Sequence, residues 1–240
     1  MLKEISLPNK ISVKDLKDNH YQVIMEPFYP GYGVTIGNAL RRVLLSSLAG
    51  AAITSFKING SQHEFDTLDG VKEDMVEIML NLKGLRLKSF SEEPVKLKLE
   101  VKGEKVIKAK DIEKNSDIEI ANKDLIIATI TDKAVKFSME IIVEQGLGYE
   151  ATEQRVEQKL EIGTVAIDAS FSPILNVGYK VENVRVGKIT NYEKLILDII
   201  TDGAIDGEAA IQEAALILKN HFDLLVPEVK EKKENKKDKK

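Results

Sequence analysis

PGYGVTIGNALRRVLLSSLAG, residues 30–50, sets a glycine-rich turn directly before an amphipathic stretch. The spacing predicts a helix from about Thr35 to Leu48, with Thr35 as N-cap and Gly50 just past the last apolar residue. At roughly 100° per residue, Ile36, Leu40, Val43, Leu44 and Ser47 share one face, while Asn38, Arg41, Arg42 and Leu45 gather opposite. An apolar leucine beside two arginines on the outer face has the composition of a protein interface, where arginine is enriched and charge pairing fixes register.

A second helix is expected over roughly Gly70 to Leu82, carrying Val71, Met75, Ile78, Met79 and Leu82 at helical spacing and ending at Gly84. Glu73 and Asp74 would lie in its first turn, where the macrodipole favours carboxylates. A third follows Asp206 as N-cap and runs to Val226. Its stripe of Ile211, Ala215, Leu218, Phe222 and Leu225 suits helix pairing, and Leu216, Ile217, Leu224 and Val226 widen it beyond what one face of one neighbour covers. The first and last helices are therefore expected to pair two identical chains.

Between these ends the pattern changes to period two. Val95, Leu97, Leu99 and Val101 alternate with Lys96, Lys98 and Glu100, and Val135, Phe137, Met139, Ile141 and Val143 repeat the rhythm. Tyr21–Glu26, Leu125–Thr131, Thr164–Phe171, Tyr179–Val186 and Leu195–Ile200 also have strand composition. The expected fold is α+β: a discontinuous dimerisation domain of sheet plus helices from residues 1–50 and 172–226, and an inserted mainly β domain from residues 51–171. Residues 227–240 hold seven Lys and four acidic residues with almost nothing apolar, and are expected to be a disordered tail.

Composition removes several function classes. The 240 residues carry 35 Lys plus Arg against 39 Asp plus Glu, a net charge of −4; setting aside the tail's +3 leaves −7 on residues 1–226. Direct nucleic-acid binding, which needs a broad basic surface, is not expected. Cysteine is absent, so disulfides, Cys-ligated metals and thiol nucleophiles are excluded. Met1–Lys10 lacks an apolar core of signal-peptide length, and nowhere do ~18 apolar residues run together. A cytoplasmic protein without membrane contact is expected.

Candidate chemistry is sparse. Gly31, Gly33 and Gly37 are spaced G-x-G-x-x-x-G, one residue longer than the dinucleotide fingerprint, and no ribose-binding acid follows at ~20 residues. These glycines better suit a positive-φ turn and close helix–strand approach. A nucleotide-dependent enzyme built on this turn remains the alternative, with a generic homodimeric adaptor as a third possibility. His63, Glu64 and Asp66 form a local cluster whose ordinary role is to anchor a turn or meet a partner. No metal, cofactor or catalytic residue is expected.

The motif GVTIGNALRRVLLSS at Gly33–Ser47, with HEF at His63–Phe65, GVKED at Gly70–Asp74 and NLKGL at Asn81–Leu85, closely resembles the amino-terminal domain of bacterial RNA polymerase alpha subunits. GLGY at Gly146–Tyr149, IGTVAIDASFSPI at Ile162–Ile174, YKVENVRVG at Tyr179–Gly187 and DGAIDGEAAIQEAALIL at Asp202–Leu218 are similar to that family too. The resemblance implies a noncatalytic homodimeric scaffold, one copy engaging the polymerase beta subunit and the other beta-prime, with the first and last helices at the dimer interface. It further implies a beta-facing surface of Asn38, Arg41, Arg42 and Leu45, joined by His63, Glu64, Phe65, Asp66, Gly70, Glu73, Asp74 and Lys83. Family members usually continue into a small helical domain that touches promoter DNA; this sequence stops in its Lys-rich segment, so that contact is not carried over.

Overall fold

A computed structural model describes residues 5–155 and 161–226; the Lys-rich segment 227–240 lies outside the described residues. Strands β1 (Lys10–Asp15) and β2 (His20–Phe28) lead to helix α1 (Tyr32–Ser46) and strand β3 (Ala49–Ile58). Helix α2 (Met75–Lys83) precedes β4 (Leu87–Ser89), β5 (Val95–Lys102), β6 (Lys105–Lys108), β7 (Ile118–Ile120), β8 (Ile126–Ile130), β9 (Lys136–Leu147) and β10 (Tyr149–Glu150). Strands β11 (Thr164–Ala166), β12 (Ala169–Ser170), β13 (Ile174–Val186) and β14 (Ile189–Thr201) precede helix α3 (Gly207–Asp223). The fold is α+β, as expected.

Two hydrophobic cores organise these elements. The first lies under the antiparallel sheet β1-β2-β14-β13, where Val23, Leu195, Leu197 and Ile199 meet Leu40 and Leu44 of α1 and Ala210 and Ala214 of α3. Both ends of the sequence build it, because β2 pairs with β14 through Val23↔Leu197. The second core belongs to the sheet β5-β9-β3-β4-β7, with β11 beside β3, and packs Phe56, Ile58, Leu99, Met139 and Ile141 against Met75, Ile78 and Leu82 of α2. In β5 the expected alternation holds residue by residue, apolar side chains in and Lys or Glu out.

The route between the sheets is narrow. Gly50 and Gly146 are paired across β3 and β9, and a Cβ on Gly50 would lie 1.8 Å from the Phe171 carbonyl oxygen. A Cβ on Gly146 would meet the Phe171 ring at 2.6–2.8 Å. The chain thus leaves for the second sheet and returns from it at one point of backbone contact, where only glycine fits.

Several boundaries differ from the sequence expectation. Helix α1 begins at Tyr32, three residues before Thr35, because its cap comes from far away. The Glu193 carboxylate of β14 accepts from the Gly31 and Gly33 amides at 2.8 Å each, and Gly31 takes φ +88°. Thr35 instead turns its hydroxyl back to the Gly31 carbonyl at 3.1 Å. The second helix starts at Met75, not Gly70: Val71 bridges Ile130, Lys72 donates to the Thr129 carbonyl, and Asp74 is the N-cap, accepting from the Glu77 amide at 2.7 Å. Asp206 caps α3 as expected, accepting from Ala209, but the helix ends at Asp223 rather than Val226.

Strand expectations fail at two places. Thr164–Phe171 is two short strands interrupted at Ile167 and Asp168, where Ile167 donates to the Thr54 carbonyl. Strand β3 is central to its sheet and gave no strand signal, since Ala52, Ile53, Thr54, Ser55 and Phe56 are buried in succession and leave no alternation to detect. The Asp168 carboxylate accepts from the Thr152 amide at 3.0 Å and pairs with Lys83 at 3.0 Å; the amide bond first and the ammonium second hold its pKa down to about 2, from 3.8.

Two measurements follow from these contacts. Glu193→Ala should cost roughly 1–2 kcal/mol in urea unfolding, as for loss of a helix cap, and sulfate should raise its melting temperature more than the parent's, because freed N-terminal amides accept an anion. A depressed carboxyl pKa gives stability that is present above the unfolded value of 3.8 and is lost as pH falls toward about 2. Asp168→Asn should therefore lose less of its urea midpoint between pH 4 and pH 2 than the parent does.

Candidate assembly surfaces

Helix α1 is fixed in rotation by close contact with the strands beneath it. A Cβ on Gly37 would fall 2.7 Å from Leu195 and 2.9 Å from Tyr179, and one on Gly33 2.8 Å from Glu193. Gly33, Gly37, Leu40 and Leu44 form the inner stripe, and Leu40 and Leu44 are 5% and 0% exposed in a single chain. This corrects their assignment to the self-contact face: both belong to the protomer's own core. The apolar face of the helical wheel was wider than one contact, so its centre went to the sheet. Ile36, Val43 and Ser47 stay half-buried on its flank.

The outer side of α1 presents Asn38, Arg41 and Arg42. Arg41 is anchored, its Nε donating to the Val177 carbonyl at 3.0 Å, whereas the Arg42 guanidinium makes no hydrogen bond or ion pair among the described residues. Leu45 is half-buried against the core beneath α1, and its carbonyl receives the Ser172 hydroxyl at 3.4 Å. It lies at the edge of the arginine face rather than at its centre.

Helix α3 divides along its length. Its first half is inside: Gly207 abuts Tyr21 so tightly that a Cβ would lie 2.3 Å from the ring, and Ala210 and Ala214 are fully buried. Ile211 and Leu218 are half-buried, Ala215 is exposed, and beyond them Phe222 and Leu225 are 58% and 78% exposed. Leu216, Leu224 and Val226 are exposed beside them. Five large apolar side chains near one helix end, none covered among the described residues, form an uncommonly apolar surface.

A loop on the second sheet brings His63, Glu64, Phe65 and Asp66 together around one carboxylate. Asp66 accepts from the Gln62 amide at 2.6 Å, the His63 amide at 3.2 Å and the Ser61 hydroxyl at 3.3 Å, and its other oxygen meets His63 Nε2 at 3.0 Å. The Gln62 amide bond is foremost in holding the Asp66 carboxyl below its ordinary range. The Asp66 carbonyl also receives the Met75 amide, tying the loop to α2. The cluster thus anchors a turn and leaves Glu64 and Phe65 displayed, Phe65 at 75% exposure.

The remaining expected contact residues have internal partners. Gly70 takes φ +73° and its carbonyl receives the Thr131 amide and hydroxyl. Glu73 is not in the α2 first turn; it binds the Thr129 amide and hydroxyl at 2.6 and 2.9 Å. Asp74 is the α2 cap, and Lys83 pairs with Asp168. The structure adds a feature that the sequence did not suggest: Tyr29 stacks edge-on against Tyr32 and Tyr192, at 6.2 and 6.1 Å between centroids, beside the start of α1. The first two tyrosines were visible in YPGY, but the third arrives from β14. Because Glu193 already fills the anion position at the α1 N-terminus, the Gly31–Gly37 turn has no free cradle for a phosphate.

Comparison with known proteins agrees with this geometry. A family model of the RNA polymerase Rpb3/RpoA insert domain matches residues 56–172, and one of the RNA polymerase Rpb3/Rpb11 dimerisation domain matches residues 156–222. The DNA-directed RNA polymerase subunit alpha of Oceanobacillus iheyensis is 45% identical over 225 residues, covering 93% of this chain and 71% of that relative. Those of Carboxydothermus hydrogenoformans and Moorella thermoacetica are 47% and 46% identical with the same coverage. The chain belongs to the family of bacterial DNA-directed RNA polymerase alpha subunits.

Proposed function

We propose that this chain is a homodimeric scaffold on which the beta and beta-prime subunits of DNA-directed RNA polymerase assemble. The observation that carries the proposal is the uncovered apolar end of α3, lying at the limit of the segment that matches a dimerisation domain. A second copy is the economical cover, since a symmetric pair buries the same patch twice. The complex is a nucleotidyltransferase; this chain contributes placement of its large subunits.

Within this proposal, residues 1–50 and 172–226 form the dimerising platform and residues 51–171 the inserted unit. The self-contact comprises Ile36, Val43 and Ser47 on α1, with Ile211, Ala215, Leu218, Phe222 and Leu225 on α3. Arg42, flanked by Asn38, Arg41 and Leu45, faces the beta subunit together with His63, Glu64 and Phe65; Asp66, Gly70, Glu73, Asp74 and Lys83 hold that surface in shape. The Arg42 guanidinium, without a partner among the described residues, keeps its whole donor set for a neighbour. No helix among the described residues is long and apolar enough to cross a membrane, and we place the assembly in the cytoplasm.

Two variants separate the surfaces. Phe222→Glu combined with Leu225→Glu should raise the dimer dissociation constant about 100-fold or more, since charge would be buried without a partner; sedimentation should then show monomer at micromolar concentration, and an unchanged dimer would refute the α3 assignment. Arg42→Ala should leave the dimer intact yet weaken capture of the beta subunit by ~2 kcal/mol or more, measured by co-purification and titration.

A further inference from the structure

The two hydrophobic cores do not merge. Between them lies a small separate cluster of Ala52, Ala169 and Phe171, beside the point where the chain leaves at Gly50 and returns at Phe171. The backbone ladder crosses this neck at two pairs, Ala49↔Leu147 and Gly50↔Gly146. Among the described residues, every side-chain hydrogen bond and ion pair stays on one side of it, within residues 5–50 and 172–226 or within residues 51–171. Units joined without a broad apolar interface are expected to move against each other, and Gly50 and Gly146 supply torsional freedom at the joint.

Where the two sides face each other they leave room. A space of about 250 Å³ lies between Tyr21 and Asp206 on one side and Lys88 and Glu119 on the other. An adjoining space of about 240 Å³ lies between Ile205, Ala209 and Glu213 and, across from them, Lys88, Ser89 and Gln145. Close-packed surfaces leave few voids larger than a water molecule, so these faces meet without fitting.

The groove carries opposite charge on its two sides. Arg86, just before β4, and Lys88 within it belong to the second sheet, which also contributes Glu119. Across from them are Asp202 and Asp206, in the turn ahead of α3, and Glu213 on α3 itself. None of these six residues belongs to an ion pair among the described residues. Asp202 is half-buried; burial pushes its carboxyl above the ordinary range, and the Arg86 charge acts against that rise. A cation brought nearer would offset more of the cost of burying it. Lys88 rests over the exposed Phe90 ring at 5.3 Å, a contact worth no more than the ion pair that would replace it.

We propose that the neck at Gly50, Gly146 and Phe171 is a hinge, on which the second sheet closes over the turn ahead of α3 until Arg86 meets Asp202 and Lys88 meets Glu213. The open groove is one position of the hinge and the ion-paired arrangement is the other. Arg42 lies on one side of the neck and Phe65 on the other. Closure therefore resets the spacing of the surfaces assigned to the beta subunit, a consequence that rests on the proposed function; the hinge itself does not.

The test reads the hinge with no partner present, so its failure is separate from failure of the scaffold reading. The chain has no cysteine, and Lys14→Cys with Glu104→Cys places two spin labels at exposed positions on opposite sides of the neck. Excess unlabelled chain keeps the measured distances within one protomer. Double electron–electron resonance at low salt should give two distances, and about 1 M salt, where the screening length falls to ~3 Å, should move population toward the open one. Lys88→Glu should shift the same ratio about two- to fivefold toward open, and adding Glu213→Lys should restore it. A single narrow distance, or two whose ratio ignores salt, the charge reversal or its rescue, would overturn the proposal.

Discussion

The contact of α1 with β13 and β14 leaves no room for a side chain at Gly33 or Gly37, and the organisation of the platform depends on it. A helix held that close cannot rotate. Leu40 and Leu44 must then point into the sheet, Ile36 and Val43 must lie on one flank, and Arg42 must point to solvent. Glu193 enforces the same placement from the helix end, since its two oxygens reach the Gly31 and Gly33 amides at the start of α1. Helix position therefore decides which residues are offered to neighbours, before any neighbour arrives.

Shape and display are divided among different residues at the second surface. Asp66, Glu73, Asp74 and Lys83 all spend their hydrogen-bonding capacity inside the chain, on the loop, on β8, on α2 and on Asp168. Glu64 and Phe65 ride on that frame and make few contacts of their own. Under the proposed function, substituting a frame residue would disturb partner binding without that residue touching a partner. The two kinds of residue are distinguishable by whether stability falls along with affinity.

Much of the fold was legible in local pattern. The alternation in β5 and β9 and the Asp206 cap of α3 follow from side chains only a few positions apart, and periodicity is a local signal. Strand β3 was not legible, because burial on both faces erases alternation from Ala52 to Phe56. The start of α1 was missed for a different reason: its cap is supplied 160 residues later, and no window near Gly33 contains Glu193. At the candidate surfaces the helix faces were recognisable, but their division between sheet and partner was not. A wheel places Leu40 next to Val43, and only the neighbouring strands separate their fates. The Tyr29, Tyr32 and Tyr192 group was hidden likewise, as one ring comes from the far end of the sequence.

The long span between Gly33 and Glu193 also sets an order of events on the ribosome. Synthesis at ~5–20 residues per second separates the emergence of these two residues by on the order of 8 to 32 s. During that interval α1 is a nascent segment with open amides and no sheet to lie on, while the intervening strands have already been made and can collapse around Phe56 and Ile141. The cap and the sheet beneath α1 are completed only when β14 arrives.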